Sequence, residues 1–126
     1  MELSYEERTD LTTVVIGTLD EWGLTPSEVI AVLGLPARTR PRELVRYRQG
    51  QPLPEDEAIL ESCRHILAIQ HTLELIFPHN PGLSAAWATD PGNRYFGCAP
   101  VEVMLREGLM GIRRVRDLLE CRSDWE

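Results

Sequence analysis

The chain has 126 residues, enough for one compact domain or two small subdomains sharing a core, and 43% of them are hydrophobic. No uninterrupted apolar run approaches the ~18 residues of a membrane helix, and Met1 is followed by Glu2, Glu6 and Glu7, the opposite of a secretory leader's basic region. A cytoplasmic protein with no membrane contact is expected. The formal net charge is −7, and all thirteen basic residues are arginines.

Five of those arginines crowd into Arg38, Arg40, Arg42, Arg46 and Arg48, with Glu43 the one opposing charge. The window therefore carries +4 and the rest of the chain −11. An acidic body repels a polyanion, so non-specific nucleic-acid affinity should be poor. A local arginine patch can still pair with phosphates or with an acidic protein surface. The three cysteines, Cys63, Cys98 and Cys121, are odd in number and far apart, each in or near an apolar stretch. Buried free thiols are expected. Cys63 and His65 stand two apart on a predicted helix and so face different ways, which argues against a zinc site.

In chain order, Leu11, Val15, Leu19 and Trp22 draw one stripe along a first helix that Gly23 closes. Thr25-Pro26-Ser27-Glu28 starts a second, with a threonine N-cap, proline at the first position and a glutamate placed for a capping box; Gly34 ends it. A third short helix is predicted from about Thr39, with Pro41 in its first turn and a stop at Gly50. Two short helices joined by a tight turn, the second rich in arginine, outline a helix-turn-helix. On that outline Thr39, Arg42, Glu43 and Arg46 share an outer face and are the candidate base-edge readers. Arg38, Arg40 and Arg48 flank them as phosphate contacts. A protein-docking or dimerisation face and a plain solvated face would show the same pattern.

Pro54-Glu55-Asp56-Glu57 opens the longest helix, whose stripe is Ile59, Cys63, Ile66, Leu67, Leu73 and Ile76 and whose end is Phe77-Pro78. His65 and His71 on it read as surface or hydrogen-bonded residues. A short helix bearing Leu83 and Trp87 follows, then a loop from Asp90 to Gly97 over a small aromatic core of Trp87, Tyr95 and Phe96. Pro100 restarts a helix with Val101, Met104 and Leu105, stopped at Gly108. The last helix has Ile112, Val115, Leu118 and Leu119 inward, with Arg113, Arg114, Arg116, Asp117 and Glu120 outward. No strand-like alternation occurs, so an all-α fold is predicted. Neither a Ser/His/Asp arrangement nor a paired-carboxylate site nor a phosphate-cradling glycine loop is visible, and no enzymatic activity or cofactor is expected.

From Trp87 onward the chain resembles the toxin-binding domain of the Xre/MbcA/ParS antitoxins. The resemblance is carried by Trp87, Pro91, Asn93, Phe96-Gly97, Pro100, Val103-Met104-Leu105, Glu107-Gly108-Leu109, Gly111, Val115 and Leu118-Leu119, in order across ~35 residues. Trp22-Gly23-Leu24-Thr25, the arginine-rich third helix and the Gly50-to-Pro54 linker are similar to the family's N-terminal module. Two departures stand out: Gly92, with Asn93 after it, where asparagine commonly follows the loop proline, and Ala99 where a capping threonine or serine is common.

The resemblance implies an Xre-like helix-turn-helix bundle at 1–53, a connecting long helix at 54–78 and a toxin-binding domain at 79–126. It implies a type II antitoxin that occludes the active site of a RES-type, NAD-depleting toxin, forms a homodimer and represses its own operon. Toxin contact is then expected from Trp87, Asn93, Phe96, Arg113, Arg114 and Arg116. A cleft built for NAD must accept phosphates, so the acidic tail Asp124-Trp125-Glu126 suits insertion there as a ligand mimic. A solitary helix-turn-helix regulator without a toxin, and a module whose helix-turn-helix serves only dimerisation, are the rival readings.

Overall fold

The structure, a computed structural model, describes residues 3–93 and 95–123. Among these residues every regular element is a helix: α1 (Tyr5–Glu21), α2 (Pro26–Leu33), α3 (Glu43–Arg48), α4 (Glu57–Ile76), α5 (Pro81–Thr89), α6 (Pro100–Glu107) and α7 (Leu109–Ser123). The expected all-α class is present. No described helix is long and apolar enough to cross a membrane.

Caps set most of these boundaries. The Ser4 hydroxyl accepts the Glu7 N–H and the Glu7 carboxylate accepts the Ser4 N–H, both at 3.1 Å, so α1 begins six residues before the apolar stripe does. That carboxylate is held below the ordinary carboxylate pKa by the Ser4 backbone and hydroxyl donors. Thr25 and Glu28 form the predicted box at α2, and Gly34 closes it in the left-handed conformation at φ 72°. Asp56 caps α4 by accepting the Ile59 N–H at 3.1 Å. α3 differs from the prediction: it starts at Glu43, and residues 36–42 form hydrogen-bonded turns, with the Thr39 N–H on the Pro36 carbonyl and the Glu43 N–H on the Arg40 carbonyl. Pro41 disfavours helical backbone at the preceding Arg40, so the helix begins only after the proline.

A single hydrophobic cluster runs from Val15 to Leu119 and draws on all three segments of the chain. At its centre α4 touches α1, α2, α5 and, most extensively, α7, while α2 also reaches α6. Trp22 is 2% exposed, and its indole N–H donates to Gln70 Oε1 on α4 at 3.1 Å. Each large apolar side chain buried this way contributes about 1.5–3 kcal/mol. Thr12, buried on α1, donates to the Arg8 carbonyl and accepts the Leu53 N–H at 2.9 Å, which fastens the segment leading into α4 back onto α1.

Candidate functional site

The C-terminal helices are held together by much of the residue pattern that carries the family resemblance. Asn93 is 6% exposed; its Oδ1 accepts the Tyr95 N–H at 3.0 Å and its carbonyl accepts the Gly97 N–H at 2.9 Å. The Asp90 carboxylate accepts the Gly92 N–H, closing the other end of the loop. Pro100 starts α6, and Gly108 sits between α6 and α7 at φ 64°, ψ −137°, a conformation that only glycine adopts without strain. Val103, Met104, Ile112, Val115 and Leu119 are buried, and Leu118 is half-buried.

Trp87, by contrast, is half-buried and borders an open groove of about 500 Å³ with Phe77, Leu83, Ala86, Thr89, Asp90 and Pro91. Leu83 is 43% exposed there. The expected aromatic core does not close: Trp87 and Phe96 are half-buried and Tyr95 is exposed, because loop residues 90–92, 95 and 97 lie at the surface around the buried Asn93. Phe96 lies under Arg114, whose guanidinium carbon is 5.8 Å from the ring centroid, within cation–π range.

The outward arginines of α7 are engaged within the chain. Arg113 pairs with Glu61 on α4, and Arg114 pairs with Glu107 on α6. Arg116 donates to Glu120 at 2.8 Å and to His65 Nδ1 at 2.9 Å. Arginine can only donate, so Nδ1 of His65 is the bare nitrogen and Nε2 carries the proton, 3.5 Å from Glu61 Oε1. The Arg113 guanidinium, with help from His65, holds the Glu61 carboxyl below the ordinary carboxylate range. His71 is exposed on the far side of α4, lining a groove with Thr13, Val14, Gly17 and Glu74. Asp124, Trp125 and Glu126 lie outside the described residues.

In the arginine-rich segment, Arg38, Arg40, Arg42 and Arg46 are exposed, and among the described residues none of the four makes an ion pair or hydrogen bond through its side chain. Arg48 differs. Its Nε and Nη2 donate to both Asp20 oxygens at 3.1 and 2.9 Å, clamping α3 to α1 and raising the guanidinium pKa. Leu44 and Tyr47 anchor α3 in the core, and burial pushes the Tyr47 hydroxyl pKa up. The predicted helical face of Thr39, Arg42, Glu43 and Arg46 does not form. Thr39 and Arg40 precede the helix, Arg42 occupies its N-cap position, and Thr39 and Glu43 are half-buried.

Burial of the thiols is uneven. Cys63 is fully buried and desolvation pushes its pKa to about 12, whereas Cys98 is half-buried and Cys121 is exposed. Cys121 lies within α7 beside the exposed Glu120, on the solvent side of the helix, so standing next to the apolar Leu118-Leu119 does not bury it. Among the described residues no three His, Cys, Asp or Glu side chains gather as metal ligands would. The Glu61–His65–Arg113–Arg116 cluster is absent from the sequence-based expectations; the i,i+4 spacing of Glu61 and His65 was its only local signal.

No family model matches the chain. It is similar to the uncharacterized protein y4oB of Sinorhizobium fredii, 28% identical over 104 residues that cover 82% of this chain and 76% of that protein.

Proposed function

We propose that the protein is a type II antitoxin without catalytic activity or cofactor, which neutralises a RES-type, NAD-depleting toxin by covering its active site with α5 to α7 and the tail. The reading rests on the ordered constellation from Trp87 to Leu119. Its glycines, prolines and Asn93 build one loop-and-hairpin scaffold, while Trp87 stays half-exposed beside an open apolar groove. Half-exposed tryptophans at the edge of a rigid scaffold are favoured anchors for a protein partner. The internal pairing of Arg113, Arg114 and Arg116 supports a role for these side chains in holding α7, and in this reading the toxin meets chiefly Trp87, Phe96 and the tail. Homodimerisation, residence in the cytoplasm and operator binding through the arginine segment belong to the same proposal.

Co-expression with a RES-domain protein encoded beside it tests the proposal. Growth should be rescued and the two chains should copurify, and Trp87→Ala should weaken both effects. Failure of rescue by the wild-type chain refutes the antitoxin reading. The four unpaired arginines favour a second reading, a solitary operator-binding regulator. It predicts tight operator binding with no neighbouring toxin to neutralise.

A further inference from the structure

We infer that Arg38, Arg40, Arg42 and Arg46 grip the phosphate backbone of duplex DNA and do not read base edges. The inference rests on the DNA-binding part of the proposed function and narrows what these four groups supply there: affinity for the backbone, with any choice of operator falling to other parts of the molecule. In a chain of net charge −7, carboxylates are plentiful, and Arg48, Arg106, Arg113, Arg114 and Arg116 each find one. The four arginines at 38, 40, 42 and 46 remain unpaired among the described residues, within nine positions of one another. Their backbone is nonetheless ordered by the turns ending at Thr39 and Glu43, by the Arg48–Asp20 clamp and by the buried Leu44 and Tyr47. An ordered row of free guanidiniums suits a polyanion, since each planar fork matches a phosphate in a bidentate fashion.

The helix argues against base readout. α3 has six residues, a length of about 9 Å, and Leu44, Tyr47, the half-buried Glu43 and the clamped Arg48 are all committed to the fold. Val45 and Arg46 are what remains exposed on it, too few for the three or four base-contacting side chains that a recognition helix presents. Arg38 and Arg40 precede the helix altogether, and Arg42 only borders it. The surrounding charge of −11 further opposes long-range attraction, so binding depends on close contacts made by these four groups.

Fluorescence anisotropy of the full chain tests this with two labelled duplexes of about 30 base pairs, one from upstream of its own gene and one scrambled at equal composition, between ~50 and ~200 mM salt. Four phosphate contacts give a log–log salt slope of about −3.6, a fall in affinity of ~10²-fold over that range. Any difference in affinity between the two duplexes should survive removal of these side chains, because phosphate contacts carry no base information. Each of Arg38→Ala, Arg40→Ala, Arg42→Ala and Arg46→Ala should flatten the slope by about 0.9 on both duplexes alike. These positions are exposed, so each variant should fold, and a thermal melt of each checks this before its slope is read. A preference of tenfold or more for the upstream duplex that disappears in Arg42→Ala or Arg46→Ala would overturn phosphate-only contact while leaving operator binding standing. Binding to neither duplex at low salt would overturn both and assign the patch to an acidic protein surface. Toxin rescue by the quadruple variant reads the antitoxin proposal separately.

Discussion

Gly111 on α7 faces the main-chain oxygen of Val103 on α6 so closely that an added Cβ would lie 2.3 Å from it and 2.9 Å from Glu107 Cβ. Backbone on both sides fixes this approach, so the two helices can meet only over a hydrogen atom. Gly111→Ala should therefore destabilise the protein by about 1–3 kcal/mol or more through overpacking. Gly17 is the internal control: nothing lies within 4 Å of its Cβ position on α1, and alanine there should stabilise by up to ~1 kcal/mol through helix propensity. Urea unfolding of both variants would expose the opposite signs, and equal effects would show that the α6–α7 contact is not close-packed.

Ala99 occupies an N-cap with extended backbone and no side-chain acceptor, directly before Pro100. The Glu102 and Val103 N–H groups already donate to the Ala99 carbonyl and Pro100 has none, so a serine hydroxyl here would serve the Val101 N–H, and Ala99→Ser should raise stability by about 0.5–1 kcal/mol. Thermal melts would detect the shift. An unchanged or lower midpoint would mean that backbone geometry alone satisfies this turn.

The Glu61 carboxyl titrates below its ordinary value of 4.5 in the folded chain, chiefly because Arg113 donates to it. The unfolded state thus binds the proton more tightly, and stability rises with pH across the range where the two states differ. This contribution is complete above about pH 4.5 and is lost as pH falls through the lower, folded value. Glu61→Gln should flatten the acid limb of a stability-against-pH curve without altering its slope near neutrality. Glu7, held down by Ser4, contributes in the same window and leaves a residual slope.

Thiol reactivity should follow burial. At pH 8 a group with a pKa of about 12 is thiolate in roughly one molecule in 10⁴, and Cys63 is in addition walled off. A thiol-specific chromogenic reagent should label Cys121 first, Cys98 more slowly and Cys63 only on unfolding. Rapid labelling of Cys63 in the native chain would contradict the packing between α4 and α7.

The boundaries written by neighbouring residues were legible in the sequence: Thr25, Pro26 and Glu28 at α2, Gly34 after it, Pro100 and Gly108 around α6. Their signals act over three or four residues, the reach of a cap. α1 begins earlier than its stripe because the Ser4–Glu7 box precedes any apolar residue that could report it. α3 begins later because Pro41 acts on Arg40 as well as on itself. In the candidate site, the scaffolding role of Gly108 and Pro100 was visible, but the partners of Arg113 and Arg116 were not. Glu61 and His65 stand 52 and 51 residues away, and no local pattern encodes a contact across that separation. The same holds for the Arg48–Asp20 clamp, which turns a nominal phosphate contact into a structural tie.

Because α4 lends side chains to α1 and α2 as well as to α5 and α7, the chain has no seam at which it can be cut into halves. A hybrid that joins the front of one relative to the back of another would have to carry over a long helix suited to both neighbours at once. Changes in partner preference are therefore expected to accumulate one side chain at a time on the exposed rims, around Trp87 on one side and Arg38 to Arg46 on the other, while the middle helix stays constrained from both directions.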